Sequence, residues 1–407
     1  MEGLKPSMFN MEFMHDGLRY IYNTRTTTLA EIDAPLAECI TKTAYIPELV
    51  EGGFVVGKED DEVNSLLQSV DTRINRVQDT LELTIVLTET CNFHCIYCYQ
   101  TKKHNEFSAN DVHEIVEKIG LLFDEGLNSL LVHYFGGEPL LNFPILQLLD
   151  KSFKELCEEK HKIFQSYITT NGSLLTKEIL NELCFNTIQL TFDGDSEIHS
   201  QYKVSKTFGY RDLLETISTV LTESVSNLRI RFNICKENAD SFIHVLDDIF
   251  SLSSFDINRI NFAFNPMRNF FGVDSFTELS PLEYSKVNLR LRRHVLALGK
   301  KLILPKSNDQ PCKFAVGNAI CIGPQAKLYF CTSDFAQKAK RNAVEDFLRP
   351  QSVRYSLHEI CSKCTVLPIC LCSCKLLNPE RNACIPEKYI LVDILKMYLD
   401  QPDMWES

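Results

Sequence analysis

Three cysteines stand close together in Cys91-Asn-Phe-His-Cys95-Ile-Tyr-Cys98, with three and then two residues between them. Thiolates are the usual holders of iron–sulfur clusters, and three at this spacing can grip three corners of a four-iron cubane. The fourth iron is then left with an open coordination position. An open position is where a metal does chemistry, as it is in catalytic against structural zinc sites. The same spacing admits a zinc site, or a set of buried free thiols. A second cysteine field lies downstream: Cys312-x8-Cys321-x9-Cys331, then Cys361-x2-Cys364-x5-Cys370-x3-Cys374, then Cys384. A Cys-x2-Cys pair is a common zinc half-site, but eight cysteines are also two sets of four. Cys372 is surplus to them and reads as a spare or buried thiol. Cys39, Cys157, Cys184 and Cys235 stand alone and read as ordinary buried thiols.

The first cysteines follow a strand-like run, Leu81–Thr88, rich in β-branched and apolar residues. From there to about residue 300, strand and helix patterns alternate, which predicts parallel βαβ units. The expected strands are Leu81–Thr88, Ser129–Phe135, Ser166–Thr170, Thr187–Phe192, Leu228–Ile234 and Arg259–Phe264. Val112, Ile115, Val116, Ile119, Leu122 and Phe123 repeat at helical spacing and line one face of the first helix. Sites in such α/β architectures lie at the carboxyl ends of the strands. Small and polar groups stand at those ends: Gly136-Gly-Glu-Pro139, Thr169-Thr-Asn-Gly172, Thr191-Phe-Asp-Gly194 and Arg231-Phe-Asn233. Glycine lets backbone approach a ligand closely. Carboxylates and amides can hold an ammonium group and ribose hydroxyls.

Residues 1–80 read as a module of their own. A hairpin turns at His15-Asp-Gly, a helical stretch covers Ala34–Thr43, Phe54-Val-Val is a short strand, and Asp60-Asp-Glu opens an acidic helix. The module is either a structural cap or a peptide-docking element that adds a strand to its sheet edge. Residues 301–388 hold the second cysteine field, and 389–407 form an amphipathic helix and tail. The hydrophobic content of 44% and charged content of 24% are those of a soluble globular protein. The net charge of −12, without a basic run, argues against nucleic-acid binding. No apolar run approaches the roughly 18 residues of a membrane span, and the N-terminus lacks a signal core. The expectation is therefore a cytoplasmic protein. Sixteen cysteines in a reducing compartment point to metal rather than disulfides.

Cys91-x3-Cys95-x2-Cys98, with aromatic Tyr97 before the last cysteine and Gly136-Gly-Glu-Pro139 after it, resembles the radical S-adenosylmethionine (SAM) superfamily over about residues 80–270. The resemblance implies a partial (β/α)6 TIM-like barrel, with a [4Fe-4S] cluster on Cys91, Cys95 and Cys98 whose open iron chelates SAM. Gly136, Gly137 and Glu138 would hold the methionine amino group, and Tyr97 would lie near the adenine. Thr170, Asn171, Thr191, Asp193 and Arg231 would contact ribose or carboxylate. Reductive cleavage of SAM would give a 5′-deoxyadenosyl radical that abstracts hydrogen. One departure is Lys203, where an Arg often follows the His that is here His199; lysine keeps the charge but loses the planar fork. The Cys361–Cys374 spacing resembles the SPASM extension of peptide-modifying members, with Ala326 where a glycine is usual. It implies two auxiliary [4Fe-4S] clusters, one on Cys312, Cys321, Cys331 and Cys374, the other on Cys361, Cys364, Cys370 and Cys384. The N-terminal module resembles the small winged-helix leader-recognition elements of such enzymes.

The leading reading is therefore a maturase of a ribosomally made precursor peptide, forming a thioether or other crosslink, with an electron donor such as flavodoxin or ferredoxin. The second is an anaerobic sulfatase maturase that forms formylglycine. There an Asp base directly follows the cysteine equivalent to Cys331; here that position is Thr332, with Asp334 two further on. A reading from outside enzymes is an iron–sulfur electron carrier or zinc-stabilised adaptor, which explains the cysteines but not the polar strand ends.

Overall fold

The computed structural model describes residues 3–74, 79–100, 104–124, 126–252, 256–269, 272, 274–308, 314, 319–329, 331–332, 357, 359–372 and 384–406. Cys312 and Cys374 lie outside these residues. The chain begins with β1 (Leu4–Pro6), β2 (Asn10–His15), β3 (Leu18–Asn23) and β4 (Leu29–Glu31), followed by α1 (Ala34–Thr41), α2 (Pro47–Glu51), β5 (Val55–Gly57) and α3 (Glu62–Ile74). The expected hairpin forms between β2 and β3. Its two-residue turn puts Asp16 and Gly17 at φ of 47° and 79°, the left-handed pair that matches the twist of flanking strands. β4 adds to β3, and β1 pairs with β5. Ile21, Ile32, Ile40, Leu49 and Phe54 make a small core within this region.

The central part runs β6 (Thr80–Val86), β7 (His94–Cys95), α4 (Ala109–Asp124), β8 (Ser129–Phe135), α5 (Phe143–Glu159), β9 (Ile163–Thr169), α6 (Lys177–Glu182), β10 (Thr187–Phe192), α7 (Ser196–Tyr202), β11 (Lys203–Val204), α8 (Tyr210–Glu223), β12 (Asn227–Ile234), α9 (Phe242–Ser251), β13 (Ile260–Pro266) and α10 (Pro281–Ala297). All six expected strands are present, with ends shifted by up to three residues. They pair in parallel in the order β13-β12-β10-β9-β8-β6. Alternation along them sorts the side chains. One set, including Leu83, Val132, Ile168, Leu190, Ile230 and Phe232, is fully buried against the helices. The other set, including Thr169, Gln189, Arg231 and Asn265, faces a concave, polar side.

The sheet is larger than the six strands expected. The chain continues with β14 (Leu302–Ile303), β15 (Ala319–Gly323), β16 (Lys327–Tyr329), α11 (Leu367–Cys370), α12 (Glu387–Asp400) and β17 (Trp405–Glu406). β15 pairs in parallel with β6, and β16 folds back antiparallel on β15. Eight strands thus form one open sheet with β13 and β16 at its edges. The short run Ala-Ile-Cys-Ile-Gly supplies the buried strand that covers the edge β6 would otherwise expose.

The N-terminal region is not packed on itself alone. Phe9, Leu66 and Val70 share a cluster with Leu367, Leu371 and Cys372. Phe13 and Tyr22 share another with Val366, Ile369, Leu391 and Leu395. Thr24 Oγ1 donates to Thr365 O, and Tyr22 hydroxyl donates to Pro305 O at 3.1 Å. Leu66 is fully buried at this seam. Leu66→Ala is expected to lower stability by about 2–5 kcal/mol through lost burial and a residual cavity, read as a lower denaturant midpoint.

Candidate functional site

Backbone contact between strand ends builds the site. After β6 the chain runs through Thr88–Thr90 into the cysteine loop, and Gly136–Gly137 after β8 lie directly against it. Gly137 N donates to Thr88 O at 2.9 Å, and Glu138 N to Thr90 O at 3.0 Å. A Cβ on Gly137 would sit 2.2 Å from Thr90 O and 3.0 Å from Cys91 Cβ, so only glycine permits this approach. The other side of the loop is pinned by β7 and β11, which pair Cys95 with Lys203. Ile96 N donates to Tyr202 O at 3.0 Å, and buried Phe93 anchors the loop against Phe208.

These segments enclose a cavity of about 370 Å³ lined by Cys91, Cys95 and Cys98 together with the other strand ends. Tyr97, Gly136, Gly137, Thr170, Asn171, Thr191 and Arg231 all line it. Glu138 and Asp193 are not among the lining residues but are hydrogen-bonded to residues that are. Glu138 is fully buried and accepts from Leu140 N (3.1 Å), Thr170 Oγ1 (2.8 Å) and Asn171 N (2.8 Å). Its carboxylate braces the end of β8 against the end of β9. Burial pushes it above the ordinary carboxylate range, opposed by the donors of Asn171, Leu140 and Thr170. Asp193 is likewise fully buried and raised by burial, opposed first by the Lys203 ammonium. It accepts from Tyr97 hydroxyl at 2.7 Å and from Asn233 Nδ2 at 3.1 Å. Arg231 Nε donates to Asn233 Oδ1 at 2.9 Å. Tyr97, Asp193, Asn233 and Arg231 thus form one hydrogen-bonded wall.

Lys203, left unassigned from the sequence, lines the cavity and is buried. Its Nζ donates to Thr191 O at 2.9 Å and lies 5.8 Å from the Phe93 ring centroid. Burial pushes the Cys95 thiol up to about 12, and Lys203 is the largest opposing influence. Gln189, Asn265 and Met267 also line the cavity; Gln189 and Asn265 face the concave side of the sheet, a placement that strand alternation allows but single motifs do not show. Thr332 lines it too, bringing the residue after Cys331 to the same cavity as Cys91–Cys98.

His199 is buried behind this wall, and its Nδ1 accepts from Asp193 N at 3.4 Å. Burial, with Lys203 as the lesser cause, holds it down to about 3. The folded value lies below the ordinary value of about 6.5, so the unfolded chain takes up the proton first. Its contribution to stability is complete above about pH 6.5 and is lost as pH falls toward 3. His199→Phe, which keeps a ring against Phe192 and Tyr210, is expected to flatten the acid limb by about 1.4 kcal/mol per pH unit. Urea titrations between pH 5 and 7 measure that slope.

In the second cysteine field, Cys321 is fully buried on β15, where it pairs in register with Thr84 of β6. Cys331 is buried, and Cys361, Cys364, Cys370 and Cys384 are half-buried. Cys364 N donates to Cys361 O at 3.1 Å. Lys388 Nζ donates to Cys364 Sγ at 3.2 Å, and Cys384 bears electrostatically on the same lysine. Cys372 packs in the apolar cluster with Phe9, Leu66 and Val70, the surroundings of a packed thiol. Of the four isolated cysteines, Cys157 and Cys235 are buried as expected, but Cys39 is only half-buried and Cys184 is exposed. Cys184 follows the short helix α6 and faces outward. Among the described residues no three cysteine sulfurs lie within 4.8 Å of one another. Thiolates are the donors that hold a multi-iron core. Three soft donors on the rim of one cavity fit such a group.

Residues 85–249 match the model of the radical SAM superfamily, so the chain carries a radical SAM domain. Among curated proteins it is 22% identical over 361 residues to the radical SAM cyclopropyl synthase TigE of Paramaledivibacter caminithermalis, covering 80% of this chain and 75% of that one. Among solved structures it resembles Streptococcus suis SuiB bound to precursor peptide SuiA, at 16% identity and a TM-score of 0.54, over 94% of this chain and 98% of that one. It also resembles anSMEcpe with bound AdoMet and Kp18Cys peptide, at 16% identity and a TM-score of 0.57, over 79% and 99% of the two chains. The family implies a [4Fe-4S] cluster and SAM. Among the described residues no helix is long and apolar enough to cross a membrane.

Proposed function

We propose that this enzyme is a maturase of a ribosomally made peptide, forming a thioether or another crosslink within it. The observation that carries the reading is the single cavity on which the three cysteines, the polar strand ends and Thr332 converge. In this reading Cys91, Cys95 and Cys98 hold the SAM-binding cluster. Bound there, cluster and SAM supply a 5′-deoxyadenosyl radical that abstracts hydrogen from the substrate. The protein supplies position. Backbone at Gly136–Gly137, together with Thr170 and Asn171, offers polar groups to the methionine end of SAM. Thr191 and Arg231 face its ribose and carboxylate, and Lys203 adds a fixed positive charge. Tyr97 borders the adenine side, and its hydroxyl is kept on Asp193. Glu138 acts from behind, by fixing the strand ends.

Residues 301–388 are read as the auxiliary-cluster domain, with the ligand sets named above. Residues 1–80 are read as the leader-docking module, in which β4 is a sheet edge of the kind that accepts an added strand. The fold likeness to SuiB, whose precursor peptide is bound, supports a peptide substrate. Thr332 at the cavity, in the position where the formylglycine-forming enzymes carry an Asp base, weighs against that reaction; Asp334 lies outside the described residues. An electron carrier or adaptor has no use for the polar cavity. The test is anaerobic reconstitution followed by SAM, reductant and precursor peptides encoded near the gene. The expected products are 5′-deoxyadenosine and a peptide lighter by two hydrogens. A fully iron-loaded protein that forms no 5′-deoxyadenosine overturns the reading.

A further inference from the structure

We propose that Lys388 tunes the reduction potential of the auxiliary centre held by Cys361, Cys364, Cys370 and Cys384; this rests on the auxiliary-cluster reading above. Lys388 is the second residue of α12, and its Nζ donates to Cys364 Sγ at 3.2 Å. The acid beside it in sequence does not compete for it. Glu387 is paired with Arg292 Nη2 at 2.9 Å, both side chains being largely covered, and Arg292 Nε is held by Asn288 Oδ1 at 2.7 Å. Among the described residues no carboxylate forms an ion pair with Lys388. Its ammonium is committed to a sulfur.

A thiol sulfur is a weak acceptor, and an exposed ammonium gains little from one in place of water. A metal-bound thiolate is different, because the hydrogen bond is then charge-assisted. One-electron reduction adds a negative charge to the cluster and its ligands. A fixed positive charge at a ligand sulfur therefore stabilises the reduced form more than the oxidised form and raises the potential. Lys388 is a positioning residue in this sense: it acts on the cluster through Cys364 and touches no substrate. Because the side chain is exposed, the effect is also screened by salt.

The test is a potentiometric titration followed by electron paramagnetic resonance, on the full reconstituted chain at low and high salt. In Lys388→Met the auxiliary midpoint is expected to move negative. The reduced-to-oxidised ratio at a fixed potential falls about tenfold, equal to about 59 mV for one electron. Lys388→Glu moves it further the same way, Lys388→Arg stays near the parent, and the Cys91–Cys98 centre does not move. A purely structural lysine would leave every midpoint in place, and unchanged midpoints in both Lys388→Met and Lys388→Glu overturn the proposal. Iron content separates the two levels of the argument. If Cys361→Ala with Cys364→Ala removes no iron, the auxiliary-cluster reading fails and takes the proposal with it. If that pair removes about a third of the iron while the Lys388 variants leave the potentials unmoved, the reading stands and the tuning role is wrong.

Discussion

Replacing Cys91, Cys95 and Cys98 together by alanine is expected to abolish 5′-deoxyadenosine formation while about two thirds of the iron remains. The loss follows because all three thiols line the cavity that the strand ends enclose, and a cluster held by three cysteines has no spare ligand. The retained iron follows from the proposed reading of the eight downstream cysteines as two further sets of four. Cys321 and Cys331 are held in or beside the strands of the extended sheet, and Cys361, Cys364 and Cys370 lie in a segment packed on the N-terminal region. Iron and sulfide analysis of the purified, reconstituted variant gives the fraction directly. Loss of nearly all the iron would show that the auxiliary clusters do not exist.

The second large effect is expected from one methyl group. Gly137→Ala places a Cβ 2.2 Å from Thr90 O and 2.6 Å from Thr90 C. Both are backbone atoms, so no flexible side chain can yield. Either the Cys91 loop or the end of β8 must shift. A displacement on the order of 1 Å at reacting groups costs about 100-fold in rate, and crowding in a packed site adds about 1–3 kcal/mol of destabilisation. The variant should therefore fold and still bind iron, but cleave SAM about 100-fold more slowly. The rate of 5′-deoxyadenosine formation at saturating SAM, compared with the denaturant midpoint, separates the two effects.

The parallel core was legible because its strands are buried runs bounded by turns, and their ends carry polar groups that no packed sheet needs. Seven of the nine residues expected to contact SAM line the cavity for that reason. The sequence shows which residues are polar and near a strand end, but not which way they point. Glu138 and Asp193 are set back from the lining and hydrogen-bonded to Thr170 and Asn171 and to Tyr97 and Asn233, partners brought in from other segments. Lys203 was the reverse case. Its burial follows from the two-residue pairing of β7 with β11, a contact too short to leave any pattern. The place of β15 was hidden for another reason. Ala319–Gly323 is a short run without polar–apolar alternation and was not expected as a strand, and nothing in it shows pairing with β6, more than 230 residues earlier. The seam between the N-terminal region and the segment around Val366–Cys372 was invisible likewise, since each side alone reads as an ordinary apolar face.

That seam also sets an order of events during synthesis. Thr24 Oγ1 donates across the seam to Thr365 O, and Phe9 and Leu66 pack there on Leu367 and Leu371. At about 5–20 residues per second, the first hairpin leaves the ribosome tens of seconds before that partner exists. Until then the face of the N-terminal region that packs on Leu367 and Leu371 stays uncovered.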